Sequence, residues 1–150
     1  MNGLMRLLLA CILMLGMCCP ARAEKVDRHI FGSWRIVSVA DYAGIGADTD
    51  EEDTKRLIGA TLTISAKRIS FDKETCRNPS YKTVRKTLDE AFWIGFQLQD
   101  TRQLRLPEPV KEIQAHCANP TGITVLYVRN HREIVFVWSG IFFNAVKHGD

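Results

Sequence analysis

Nine short runs rich in β-branched and aromatic residues, several separated by only two or three residues, constrain this chain more than any other feature. They cover residues 34–40 (WRIVSVA), 61–65 (TLTIS), 68–72 (RISFD), 81–88, 91–98, 111–117, 122–129, 133–138 and 141–147. Alternation marks strands, because successive side chains leave a pleated strand on opposite faces. Leu62 and Ile64 oppose Thr61, Thr63 and Ser65, and Ile113, Ala115 and Cys117 alternate with Glu112, Gln114 and His116. Phe92, Ile94, Phe96 and Leu98 would likewise share one strand face, leaving Gln97 and Gln99 on the other. Turns are expected at Ala66-Lys67, Leu88-Asp89-Glu90 and Asn130-His131-Arg132, and Ser139-Gly140 reads as a bend or bulge. Connections this short suit hairpins and are too short for βαβ crossovers. The expected fold is all-β, an antiparallel up-and-down sheet of about eight strands.

One helix interrupts the pattern. Thr49 can cap it, Glu52 is the reciprocal partner three residues on, and Asp50, Glu51 and Asp53 load the positive end of the helix dipole. Lys55 and Arg56 follow, Leu57 and Ile58 can dock on the body, and Gly59 terminates. A calcium loop is the sharper reading of these acids, but the glycine and the distant bidentate glutamate of an EF-hand loop are missing.

Residues 1–23 read as a secretory signal peptide: Arg6, an apolar run from Leu7 to Met17, and small residues at Ala21 and Ala23. Pro20 and Arg22 cut the run short of the roughly 20 apolar residues a membrane span needs. A lipoprotein reading would use Cys18 or Cys19, tethering the protein to a membrane, although neither is preceded by a small residue. The expected organisation is therefore a signal peptide at 1–23 and one domain at 24–150, exported to the periplasm, with secretion or a lipid anchor as the alternatives. Losing Arg6 and Arg22 brings the formal charge from +3 to about +1, which argues against nucleic acid as a partner. Only Cys76 and Cys117 remain, and an oxidising compartment favours a bridge between them. Closing that loop of about 40 residues would contribute on the order of 3–4 kcal/mol. The functional alternative is a reactive or metal-binding thiol beside His116.

Ile30-Phe31-Gly32-Ser33-Trp34-Arg35-Ile36-Val37 places Gly-x-Trp at the start of the first strand. This resembles the signature of lipocalins and the wider calycin group of β-barrels. The resemblance implies an eight-stranded up-and-down barrel, closed at one end by the tryptophan beneath a basic residue near the end of the last strand. Gly32, Trp34 and Lys147 would take those parts. The chain departs from the pattern in its lysine, its early helix and its lack of a mid-chain Thr-Asp-Tyr-type turn. It is also similar to small exported bacterial proteins of unknown role that combine Gly-x-Trp with Ile-Gly after a short helix, here Ile58-Gly59. They share a Cys-x-x-Pro-x-Tyr segment as well, here Cys76-Arg77-Asn78-Pro79-Ser80-Tyr81. Neither likeness implies an activity.

Candidates for catalysis are thin. His29, His116, His131 and His148 show no metal-ligand spacing, and there is no nucleophile elbow or phosphate-cradling loop. No enzyme, cofactor or metal is expected. A binding protein fits better, its ligand a small apolar or amphipathic molecule or an envelope component. Phe71, Phe92, Phe96, Phe136, Trp138 and Phe143 are candidates to line a barrel interior, or simply to fill it as core. Lys82, Arg85 and Lys86 form a basic strip that would steer an anionic protein, lipid or polymer, or would merely guard a strand edge. The alternative is a periplasmic inhibitor or immunity protein that binds a cell-wall-degrading enzyme through its surface, with acidic residues 48–53 as the contact.

Overall fold

The computed structural model describes residues 26–44 and 50–149. The expected signal peptide with Cys18 and Cys19, and the expected cap Thr49, lie outside the described residues. Eight of the nine runs form strands: β1 (Gly32–Tyr42), β2 (Thr61–Ile64), β3 (Arg68–Phe71), β5 (Ser80–Lys86), β6 (Val110–His116), β7 (Ile123–Val128), β8 (Glu133–Trp138) and β9 (Ile141–Lys147). None of the nine runs covers β4 (Glu74–Arg77), a four-residue strand whose only apolar side chain is Cys76. All nine strands form one antiparallel sheet, in the order β4-β3-β2-β1-β9-β8-β7-β6-β5.

That order forces curvature. β4 and β5 are consecutive in the chain yet occupy opposite edges, joined only through Asn78 and Pro79. Laid flat, eight spacings of about 4.8 Å would separate the edges by roughly 38 Å. The short link between them spans about 10 Å at most. The sheet therefore curls until its edges meet at one end, a half-barrel consistent with a lipocalin-like fold. Three contacts lace that meeting: Asn78 N donates to Lys67 O (2.8 Å), the Tyr81 hydroxyl donates to Ser65 O (2.6 Å), and Cys76 and Cys117 sulfurs lie at disulfide distance, 2.06 Å.

Helix α1 (Glu51–Arg56) follows β1, and Asp50 caps it, its carboxylate accepting from Glu52 N at 3.0 Å. The acidic run is thus a helical first turn. Leu57 is buried against the concave core, whereas Ile58 is exposed. Ser139 and Gly140, expected as a bend or bulge, form instead the two-residue loop of the β8–β9 hairpin. Both have positive φ, 49° and 79°, as a type I′ turn requires.

Residues 91–98 correct the largest expectation. They are not a strand but a helical segment, a π turn over Asp89–Trp93 running into a short α turn over Ile94–Phe96. Thr87 and Glu90 start it as a capping box. Glu90 N donates to Thr87 Oγ1 (3.2 Å), and Thr87 N donates to Glu90 Oε2 (2.9 Å). Gln97, in the left-handed region at φ 54°, ends it. The expected Leu88-Asp89-Glu90 hairpin turn is therefore the start of this segment.

The sheet is covered on its concave face throughout and on its convex face over β7–β9. Its concave face packs Trp34, Ile36, Leu62, Ile113, Leu126, Phe136 and Phe143 into one core. Its convex face packs Tyr127, Val135, Val137 and Phe142 beneath Ala91, Phe92, Leu98 and Leu104 of the 88–106 excursion. Residues of β8 alternate between the two cores, which explains why that strand is continuously apolar.

Candidate functional site

The six aromatic residues expected inside the barrel divide between the faces. Phe71, Phe136, Trp138 and Phe143 meet on the concave side. Phe71 contacts the rings of Phe136, Trp138 and Phe143 at centroid distances of 5.0, 5.7 and 6.0 Å. Such spacings put the Phe71 ring in contact with the other three rather than across a space from them. Phe92 and Phe96 instead lie on the convex side, where both approach Phe142. The helical turn carries them there, so their assignment to the interior is corrected.

At the end of the half-barrel where β1 begins, Trp34 is 1% exposed and its Nε1 donates to Ile30 O at 2.8 Å. Lys147, its register partner on β9, places Nζ 5.4 Å from the indole centroid and donates to His29 O at 2.9 Å. A 3-10 turn over Arg28–Ile30 supplies both carbonyls. Gly32 is required here: φ is 135°, and an added Cβ would stand 3.2 Å from Lys147 Cε.

The basic strip does not act as one surface. β5 is an edge strand and Lys82 is exposed on it, but the Lys86 ammonium turns to Glu112 Oε1 at 2.8 Å. Glu112 is 2% exposed on the convex side and also accepts from Gln114 Nε2 at 2.6 Å. A carboxylate buried this far needs a cation, and Lys86 provides it. Burial, and then the Glu112 charge, push the neighbouring Tyr127 phenol well above its usual range. Arg85 is exposed and engaged elsewhere.

A groove of about 500 Å³ was not anticipated. It opens beside the helical segment, walled by Leu88, Trp93 and Leu98 and edged by Asp89 and Glu108. Trp93 is 45% exposed and Ile94 72% exposed, a large apolar pair left on the surface. No cation pairs with Asp89 or Glu108 among the described residues, whereas Asp100 is held by Arg102 at 2.6 Å and pushed down to about 2. The groove is therefore amphipathic: apolar at Leu88, Trp93 and Leu98, neutral polar at Gln99 and Thr101, and acidic at Asp89 and Glu108. The Thr87-Leu88-Asp89-Glu90 capping signature was the signal in the sequence that could have located it.

Among the described residues no helix is long and apolar enough to cross a membrane, and no three His, Cys, Asp or Glu side chains converge as a metal site. The Cys76–Cys117 pair is compatible with an oxidising compartment. No protein-family model, curated protein or solved structure matches this chain.

Proposed function

We propose that this is an exported, non-enzymatic binding protein of lipocalin-like architecture that binds at its outer groove rather than within the barrel. The observation that carries this reading is the exposure of Trp93 on the wall of a groove of about 500 Å³, set against interior rings already in contact. Exposed aromatic and aliphatic side chains at a concave lip are typical of binding sites. The partner is amphipathic: an apolar portion rests on Trp93 and Leu98, and a cationic group meets Asp89 and Glu108. A Trp93 indole also favours cations over its face.

Titration with monomeric dodecyltrimethylammonium and with dodecyl sulfate, followed by native mass spectrometry and tryptophan fluorescence, tests this. The cationic amphiphile is expected to bind saturably and more tightly, and to lose that binding in Trp93→Ala. Equal binding by wild type and Trp93→Ala would overturn the groove. The same acidic edge also supports the second reading, an inhibitor or immunity protein against a basic cell-wall-degrading enzyme. Recovery of such an enzyme from envelope extract by wild type, and not by Trp93→Ala, would identify it.

A further inference from the structure

We infer that the end of the barrel around Trp34 is a second site, one that takes the phosphoryl group of a small organic phosphate or of a lipid headgroup. Four nitrogen-bearing side chains from three separate elements converge there. His29 comes from the 3-10 turn, His131 and Arg132 from the β7–β8 hairpin, and Lys147 from the end of β9. Adjoining concave spaces of about 480 and 580 Å³ share His131, Arg132 and Lys147. A smaller one, about 130 Å³, runs from His29 and His131 down to Trp34. These volumes fall in the range of organic ligands, which favours a phosphate ester over the bare ion.

The backbone around these groups is held in place. Lys147 N donates to Arg132 O (2.9 Å), and Arg132 N donates to Asn130 Oδ1 (2.8 Å), which fixes the hairpin against β9. His29 N donates to Asp27 Oδ1 (3.0 Å), which fixes the turn on the other side. Two carboxylates line these spaces, Glu133 the largest and Asp27 the smallest, and both are engaged. Asp27 also holds Lys111, and Glu133 accepts from Asn130 Nδ2 (3.1 Å) and faces Arg129 (3.8 Å). No carboxylate pairs with Arg132 or His131 among the described residues. The planar guanidinium, the lysine ammonium and the imidazole N–H groups together offer donors for several oxygens of one tetrahedral anion. Above Trp34, Lys147 uses one hydrogen on His29 O and retains two.

The test is a titration of isotope-labelled protein with sn-glycerol 3-phosphate, reading amide chemical shifts, with potassium chloride at matched ionic strength as control. Saturable shifts are expected at His131, Arg132 and Lys147. The double variant His131→Ala/Arg132→Ala, both on an exposed turn, should weaken binding roughly tenfold or more. Lys82→Ala, an exposed cation elsewhere, should leave it unchanged. No saturable shift, reproduction of the shifts by chloride, or equal weakening by Lys82→Ala would each overturn the site. Sedimentation with phosphatidylglycerol vesicles separates the sources. Loss of cosedimentation in the double variant assigns a lipid headgroup, and ester binding without cosedimentation assigns a soluble phosphate.

Discussion

Trp34 and Trp138 present the same indole to the concave core, but only Trp34 has an acceptor for its N–H. Its Nε1 donates to Ile30 O, while Trp138 Nε1 is buried with no partner among the described residues. Replacing each by Phe removes the same volume, but Trp34→Phe also breaks the hydrogen bond to Ile30 O and takes the indole from beneath Lys147, at a fully buried rather than a partly buried position. Trp34→Phe is expected to cost at least about 1 kcal/mol more than Trp138→Phe in urea unfolding. Lys86 and Glu112 make the second residue-scale case. Removing the lysine strands a buried carboxylate, whereas removing both charges does not. Lys86→Met should cost roughly 2 kcal/mol, tempered because the Lys86 side chain is 29% exposed, and adding Glu112→Gln should recover much of it. A double-mutant cycle by chemical denaturation measures both. The sequence placed Lys86 correctly on a strand, but its counter-ion sits on β6 and only register brings the two together.

At the scale of elements, the helical segment after β5 shows why alternation alone misleads. Phe92 and Phe96 are four residues apart, a spacing that satisfies a strand face and a helix face equally well. Ile94 separates the two readings: in a strand it would share their buried face, and here it is solvent-exposed. The Thr87–Glu90 box tips the segment toward helix, because it satisfies amide groups that a helical turn leaves unpaired. Thr87→Ala should therefore destabilise by about 1 kcal/mol and speed amide exchange over residues 89–96. An unchanged exchange pattern would show that packing of Phe92 alone holds the segment. β4 escaped notice for a different reason: four residues with one apolar side chain carry no periodic signal, and pairing to β3 alone makes them a strand.

For the whole molecule, the decisive fact is that one chain corner joins the two edges of a nine-stranded sheet. Tyr81 secures that corner, and burial pushes its phenol up to about 12. A raised tyrosine pKa favours the neutral form in the folded state. Its stabilising contribution is thus full below the ordinary value near 10 and is lost as pH rises through about 12. Ultraviolet titration should find one tyrosine ionising near 12, and Tyr81→Phe should flatten the fall in stability between about pH 10 and 12. The sequence by itself determined the strand-rich composition, the antiparallel connectivity, the candidate cysteine pair and the position of α1. These depend on local periodicity, caps and loop lengths, which are properties of neighbouring residues. Tertiary structure decided which face each aromatic residue covers, that Lys86 serves Glu112 rather than the surface, and that the open groove lies outside the half-barrel. Each of those outcomes turns on curvature and register, which bring together residues far apart in the chain, and no local pattern encodes them.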